Sequence, residues 1–386
     1  METQVYSVKK MIWTNILFFA VTTAVALIGG PVYYAKCGIS APELMLFLFY
    51  MTATGLSITA GYHRLFSHVT YQANPVIRFL FLFFGAAAFE QSALAWSAQH
   101  RDHHRYVDTD RDPYSIQKGF FYAHIGWLIF WKHKIDYDNV NDLQKDAMVM
   151  HQHRYYILWA AVSGIVLPVA AGALSGHALG AFIFAVCLRL TLVYHSTFFI
   201  NSVCHMFGKA TYDVYATARD HWLVALLTFG EGYHNFHHRF PSDYRNGVRW
   251  FDWDPSKWLI RLMGFLKMAS DLKRVSNFKI LAARLAGENC RFSDILIKHE
   301  SSEAVAAAVK ALTARYAEVK STLVRWETAA LEYHELLQTK MAEHSQHLKK
   351  AGLEKIDAAR REFRQAYMTW AELTSLKPSR LLQLSA

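Results

Sequence analysis

Twenty histidines occur among the 386 residues of the chain, and eight of them fall into three short clusters beside long apolar segments. A histidine at the edge of an apolar segment is costly to desolvate and usually serves a metal, a proton transfer or a polar partner. Eight imidazoles in three compact clusters favour a metal, and they exceed what one ion binds, so two ions are predicted. The eight are His63, His68, His100, His103, His104, His234, His237 and His238.

The second and third clusters share the spacing His-x-x-His-His. Positions i, i+3 and i+4 lie on one face of a helix, so a single turn can present three imidazoles. His63 and His68 are five residues apart, roughly 140° on a regular helix, so we expect a bend that turns both inward. Imidazole suits iron, zinc and copper. The apolar surroundings favour redox chemistry on a hydrocarbon and therefore iron, and the residues alone leave zinc open.

The apolar segments that must position these histidines predict a membrane protein. Hydrophobic residues make up 53% of the chain and aromatic residues 15%, which is high for a soluble protein. A stretch at 76–89 is too short to cross a bilayer and is predicted to be an interfacial helix. All three clusters then lie on one side, and Lys36 is the one basic residue of the outer loops, so the site and both termini are predicted to be cytoplasmic. The predicted spans are 12–34, 44–61, 155–173 and 178–200.

The rest of the composition limits the alternatives. The net charge of +10 is better explained by an anionic membrane surface or an acidic ligand than by nucleic acid. Four scattered cysteines argue against a disulfide framework, a zinc ribbon and an iron–sulfur cluster. The predicted fold is an all-α integral membrane protein, with four transmembrane helices and a cytoplasmic helical cap that holds the metals.

The chain is predicted to have a membrane domain at 1–270, a linker at 271–290 and a soluble helical segment at 291–386. Apolar residues at 305–337 repeat with 4-3 spacing, and a second amphipathic helix is predicted at 353–373. We expect a helical hairpin or coiled coil here, with a homodimer formed through these helices as an alternative.

Several polar residues outside the clusters need their own interpretation. Asp108, Asp110 and Asp112 resemble a carboxylate metal site, but we expect them to orient ligand imidazoles or to shape the turn at Pro113. His124 is expected to have a structural role. Arg189, inside the fourth span, is likewise interpreted as structural.

The three clusters match the three histidine boxes of membrane fatty acid desaturases, and the chain resembles their Δ9 acyl-CoA branch over roughly residues 10–265. The resemblance extends to Asn-Ser-Val-Cys-His at 201–205, to Gly-Glu-Gly-Tyr-His at 230–234 and to Phe-Pro-Ser-Asp-Tyr-Arg-Asn-Gly at 240–247. It implies a centre of two irons, which zinc can replace in a purified protein. It also implies a ninth ligand, His205, and places Asn201 at the metal through a water.

The resemblance further implies O₂-dependent desaturation of a long saturated acyl chain to a cis double bond at Δ9. The chain would lie in an apolar tunnel among the spans, and Phe47 and Met51 are candidates for its floor. Lys132 is a candidate contact for a phosphate of acyl-CoA. Ala98 and Gln99 stand where animal acyl-CoA desaturases have two charged residues, so a phospholipid-bound acyl chain remains an alternative substrate.

Electrons must come from a separate carrier of the cytochrome b5, ferredoxin or rubredoxin type, supplied by an NAD(P)H reductase. The sequence has no fused cytochrome b5 motif and no nucleotide-binding glycine loop. We expect a bacterial inner-membrane protein with an extra C-terminal helical segment, and an endoplasmic reticulum protein is the alternative. A fatty acyl or alkane hydroxylase with the same metals is a competing enzyme. A membrane metal transporter is the non-enzymatic alternative, but its ligands would lie at midplane depth.

Overall fold

The computed structural model describes residues 11–130, 135–299, 303–338 and 346–375. The chain divides into two units. The first extends to Arg274, and the second begins at Val275. The short segment Thr211–Tyr215 also belongs to the second unit. The predicted linker at 271–290 differs from the structure, because a helix begins at Asn277. Its residues Leu281 and Leu285 pack in the core of the second unit, so this segment is part of a folded body.

Four helices of the first unit are long and apolar enough to cross a membrane, which confirms the predicted four-helix membrane fold. The second and fourth extend about one turn or more beyond their predicted ends, because the helix continues into polar sequence that hydropathy does not count. These extensions carry His63 and His205. The spans are Trp13–Cys37, Ala41–Ser67, Tyr156–Leu174 and Ala178–His205.

Each span contains a stretch of π-helix, in which backbone bonds join residues five apart. The longest belongs to the second span and contains the first histidine cluster as far as Ser67, with His68 directly after it. The π-helical stretches are Val25–Gly29, Ser57–Ser67, Val162–Val166 and Phe182–Leu188.

Local sequence determines where the helices that carry the site begin. Ser40 and Glu43 form a capping box at the start of the second span. Asn74 caps the short apolar helix Pro75–Ala86, whose 12 residues are too few to cross a bilayer. Ser92 caps the helix Ala93–Tyr106, which carries the second histidine cluster.

Outside the spans, the first unit is a cap of short helices and one pair of antiparallel strands. The strands Gln72–Ala73 and Ala269–Ser270 pair Gln72 with Ser270. A core around Tyr62, Leu82 and Ile260 joins the cap to the second span. The helices of the cap are Pro75–Ala86, Ala93–Tyr106, Ile116–Lys118, Tyr122–Gly126, Trp127–Phe130, Asp138–Val140, Asn141–Gln144, Ala147–Arg154, Trp222–Leu227, His234–Arg239 and Pro255–Phe265.

Arg189 links three parts of the first unit. Its side chain is fully buried in the fourth span and donates hydrogen bonds to the carbonyl oxygens of Ala185, Ala87 and Gly164. Ala87 follows the short apolar helix, and Gly164 belongs to the third span. The guanidinium therefore satisfies backbone groups that have no water to bind, which supports the structural interpretation of this residue.

Among the described residues, the helices of the second unit are Asn277–His299, Glu303–Gln338 and Gln346–Ser375. The last two cover the amphipathic segments predicted at 305–337 and 353–373. Their apolar faces meet in a core that includes Leu312, Leu323, Phe363 and Trp370. The first helix contributes Leu285 to the same core, so the unit is a three-helix body where a two-helix hairpin was expected.

Candidate metal centre

All nine histidines singled out from the sequence lie together in the first unit, in two groups. Within each group, one ring nitrogen from every member lies within 4.8 Å of those of the others. Group one contains His63, His68, His100, His104 and His237. Group two contains His103, His205, His234 and His238.

Each His-x-x-His-His cluster contributes to both groups. On helix Ala93–Tyr106, His100 and His104 belong to group one and His103 to group two. On helix His234–Arg239 the division is reversed: His234 and His238 belong to group two, and His237 belongs to group one. Positions i+3 and i+4 differ by about 100° around a helix, so they diverge to either side of the shared face. Two short helices therefore connect the two groups.

The first cluster reaches group one through the π-helix. The backbone N–H of His68 donates to the carbonyl of His63 at 3.0 Å, which is a bond between residues five apart. In a π-helix such residues lie nearly one above the other, and the two imidazole centroids are 4.8 Å apart. The predicted bend is thus replaced by a wider helical turn.

The spacing of the nitrogens fits a shared cation. Neighbouring Nε2 atoms are 2.9–3.0 Å apart in group one and 3.0–3.3 Å apart in group two. Two nitrogens bound at right angles to one ion, at about 2.1 Å each, lie about 3.0 Å from one another. An all-imidazole donor set suits iron and zinc alike. The residues present therefore fit two transition-metal ions, one for each group.

Burial keeps most of these imidazoles in the neutral form that binds metal. Desolvation is the main reason that their pKa lies well below the ordinary value for histidine. Neighbouring charged groups, chiefly the other imidazoles, lower the pKa further. A neutral imidazole offers the lone pair that a metal requires. The lowered pKa applies to His68, His100, His104, His234, His237 and His238.

A carboxylate orients His63 from behind. Glu231 Oε2 lies 2.7 Å from His63 Nδ1, and its Oε1 accepts from the Arg64 guanidinium at 2.8 Å. Asp254 completes the network, 3.0 Å from the same guanidinium. Although burial favours the neutral acid, Arg64 and His63 lower the pKa of Glu231, so it is ionised. Such a partner fixes the tautomer of a metal-binding imidazole and increases its basicity.

Asp112 and Asp108, two of the aspartates singled out from the sequence, orient imidazoles of group two. Asp112 Oδ1 lies 2.9 Å from Nδ1 of His103, and both side chains are 2% exposed. His205 Nδ1 is 2.7 Å from the Thr217 hydroxyl, which donates to Asp108 at 2.6 Å. Both carboxylates therefore lie behind ligand imidazoles, in the orienting position that was expected of them.

Sequence reasoning missed three of these supporting residues. Glu231 stands three residues before His234 inside a family motif, and that position was the available signal. Tyr114, whose hydroxyl is 3.3 Å from His100 Nδ1, and Thr217 had no comparable signal.

His124 lies outside both groups. Its Nε2 is 3.1 Å from Nδ1 of His195, and its Nδ1 is 2.9 Å from the Ser202 hydroxyl. Burial lowers the pKa of His124 to about 4, so the ring is neutral. These contacts support the structural role expected for it.

A cavity of about 1370 Å³, including its open mouth, adjoins the two groups. His63, His100, His103 and His234 form part of its wall, together with Asn201. Much of the remaining wall is apolar and is supplied by the spans and the adjoining loops, including Phe18, Phe19, Ile58, Phe89, Val193 and Phe229.

Of the three residues expected to contact the substrate, one lines the cavity, one does not, and one lies outside the described residues. Met51 lines this cavity. It stands three helical turns before His63 on the second span, roughly 18 Å along the axis. Phe47 is partly buried on the same helix and is not among the residues that line the cavity. Lys132 lies in 131–134, outside the described residues.

Comparison with known proteins agrees with this arrangement. A family model described as "Fatty acid desaturase" matches residues 41–261. A probable acyl-CoA desaturase of Schizosaccharomyces pombe is 44% identical over 232 residues, 59% of this chain and 48% of its own length. Acyl-CoA desaturase 1 of Saccharomyces cerevisiae is 41% identical over 263 residues, 66% of this chain and 51% of its own.

A mammalian relative is covered more completely. The stearoyl-CoA desaturase of Capra hircus is 34% identical over 291 residues, which are 73% of this chain and 80% of its own length. The chain thus spans about half the length of the two yeast relatives and four fifths of the goat protein. The matched region includes the second, third and fourth spans, both histidine groups and their carboxylate partners. The chain belongs to the fatty acid desaturase family, and it is similar to the acyl-CoA desaturases within it.

Proposed function

We propose that this protein desaturates a long-chain saturated acyl-CoA at the Δ9 position, with O₂ as oxidant, to give a cis double bond. The reaction removes two hydrogens from adjacent CH₂ groups, consumes two electrons and two protons from outside, and reduces O₂ to two molecules of water. Two irons, held by the nine histidines, would supply the activation of O₂ that this chemistry requires.

One observation carries the proposal: nine buried or half-buried imidazoles form two groups, and members of both groups line a largely apolar cavity. An apolar cavity binds a hydrocarbon chain through the hydrophobic effect alone. Because neighbouring methylenes are chemically alike, only a fixed position relative to the metals can select one bond. A cavity wall that contains both the metal ligands and apolar side chains meets this requirement.

Individual residues have distinct tasks in this proposal. The nine histidines hold the metals, and Asn201, which lines the cavity one helical turn before His205, would bind a metal through water. Glu231 and Asp112 keep the ligand imidazoles in one orientation and tautomer. Met51 would contact the methyl end of the acyl chain.

The names of the relatives favour acyl-CoA over a phospholipid as the substrate. A separate electron carrier, docking on the cytoplasmic face, would supply the two external electrons. The cytoplasmic location of the site is proposed from the basic residues that flank the spans on the same side as the histidines. We also propose, as an alternative arrangement of the amphipathic C-terminal helices, that two copies of the chain form a homodimer through them.

Expression in a host that lacks its own desaturase tests the function. We expect the wild-type protein to produce fatty acids with a cis double bond at Δ9, and His103→Ala to produce none. His151→Ala is the matched control, because His151 is an exposed histidine outside both groups. A hydroxylated product would instead identify the competing hydroxylase. Unchanged fatty acids with a folded, iron-loaded wild-type protein would refute the proposal.

A further inference from the structure

Glu90 places a carboxyl group in the wall of the cavity that we assign to the acyl chain. The residue is partly exposed, and it lines this cavity between the short apolar helix and helix Ala93–Tyr106. Phe89 and Gln91, its neighbours in sequence, line the same space. An ionisable side chain in such surroundings is costly unless it is paired or neutral.

In the described part of the chain, the carboxyl group accepts side-chain hydrogen bonds from two neutral donors. The Thr197 hydroxyl donates to Oε1 at 2.9 Å, and the Trp96 indole N–H donates to Oε2 at 3.2 Å. Trp96 in turn stacks on His100 of group one, with ring centroids 4.8 Å apart. Among the ion pairs found in the described residues, none includes Glu90. No side chain of opposite charge in that part of the chain therefore contacts the carboxyl group directly.

The backbone around Glu90 is held in an unfavourable conformation. Phe89 and Gln91 have φ of 57° and 77°, in the left-handed region that side chains other than glycine rarely adopt. Such residues are strained and persist only where the surrounding structure holds them. The Gln91 N–H donates to the Tyr156 hydroxyl at 3.0 Å, which helps to hold this conformation. The fold thus expends free energy on the segment that directs this carboxyl group into the cavity.

Among the described residues, the titratable side chains that interact with Glu90 electrostatically are phenols. Arg189 approaches the same segment, but its guanidinium is bound to the carbonyl oxygens of Ala185, Ala87 and Gly164, and the cavity wall also contains imidazoles from both groups and Glu231. Tyr62, Tyr156 and Tyr194 interact with Glu90 electrostatically from the second, third and fourth spans. A phenol is neutral below about pH 10, so none of them supplies a positive charge. Burial raises the pKa of Glu90 to about 7, although its hydrogen bonds from Thr197 and Trp96 oppose the rise.

We propose that Glu90 belongs to the acyl-chain site and that the chain binds only when this carboxyl group is neutral, so that acyl binding takes up a proton. A carboxylate that loses its remaining hydration to an apolar chain pays a large desolvation penalty, whereas a neutral acid does not. Glu90 therefore acts as a determinant of substrate affinity that responds to pH near neutrality. The inference rests on the proposed function, since it assigns the cavity to an acyl chain.

The direction of the pH dependence follows from the proposal that the acyl chain binds only when Glu90 is neutral. The neutral form predominates below pH 7, so binding is strongest there and weakens as the pH rises through 7. The neutral fraction falls about tenfold between pH 6 and pH 8, and the apparent Kd should rise by the same factor.

The change of the apparent Kd with pH can be measured by equilibrium binding of radiolabelled stearoyl-CoA to the purified full-length protein in lipid nanodiscs. We expect the wild-type Kd to be about tenfold higher at pH 8 than at pH 6. Glu90→Gln should remove this difference, apart from the ionisation of the CoA group itself, which is common to every variant. Glu43→Gln is the matched control, because Glu43 is a buried carboxyl group at the start of the second span and is not among the residues that line the cavity. It should retain the tenfold change.

A second variant covers the case in which Glu90→Gln does not fold. Thr197→Val removes a hydrogen bond that opposes the raised pKa, so the loss of binding should shift to higher pH. A wild-type Kd that is equal at both pH values, with stearoyl-CoA bound, would overturn this inference and leave the proposed function intact. If stearoyl-CoA does not bind at either pH, the acyl-CoA function itself is overturned.

Discussion

Replacing Asp112 by asparagine should weaken one metal group and leave the other intact. Asp112 accepts from His103 Nδ1 at 2.9 Å, and the pair is almost fully buried. A hydrogen bond to a charged group contributes about 1.5–3 kcal/mol, and a neutral one about half as much. The substitution therefore removes about 0.8–1.5 kcal/mol of support for the metal-binding tautomer, which is up to about a tenfold loss of metal affinity. Larger losses, up to about 100-fold, are known for such partners.

Metal content after dialysis against a graded series of chelator concentrations measures this loss. We expect wild type to retain two ions per chain, and Asp112→Asn to release one of them at about a tenfold lower chelator concentration. The second ion should leave as it does in wild type, because the ligands of group one do not contact Asp112. Asp110→Asn is the matched control, since Asp110 is an exposed carboxylate two residues away. Equal weakening of both ions, or of neither, would contradict the assignment of His103 to group two.

Three further substitutions test other parts of the structure. Glu231→Gln removes a buried charge that an imidazole and a guanidinium share, so we expect destabilisation of up to about 3–5 kcal/mol, seen as a lower midpoint of thermal unfolding in detergent. A midpoint equal to that of wild type would contradict this network. Met51→Ala should lengthen the cavity and shift the products towards longer acyl chains in a fatty acid profile, whereas Phe47→Ala, outside the cavity lining, should not. Equal shifts for both would argue against the cavity as the acyl site. Trp370→Ala should destabilise the C-terminal three-helix unit by about 3–5 kcal/mol, because its indole is fully buried. Met368→Ala, at an exposed position, is its control, and limited proteolysis should cleave only the tryptophan variant faster.

The membrane fold was predictable because its signal is local. A run of some twenty apolar residues has few stable alternatives to a spanning helix, whatever the rest of the chain does. The predicted ends were less accurate, since His63 and His205 lie on helical extensions that are polar in sequence. The helix at Asn277 was taken for a linker, because its apolar face is recognisable only beside the two helices that it packs against.

The site was predictable in its composition and only partly in its geometry. The spacing of the second and third clusters indicated three inward imidazoles for each helical turn, and all six lie in the two groups. The π-helix at Ser57–Ser67 was not predicted, because a switch between bonding patterns costs little locally and depends on packing. Glu231 was overlooked for a similar reason, since its partner His63 lies 168 residues away in sequence.

The sequence by itself determined which chemistry is available: nine imidazoles at the borders of apolar helices, with carboxylates nearby and no clustered cysteine to compete. Only the tertiary structure decided which imidazoles lie in one group, which of them have a carboxylate behind the ring, and that Glu90 lines the cavity that we propose for the acyl chain. The physical reason is that residue types and helical periods are properties of a segment. The rotation of one helix against another is a property of the packed core, which brings His63 within 3.0 Å of His237 across 174 residues of chain.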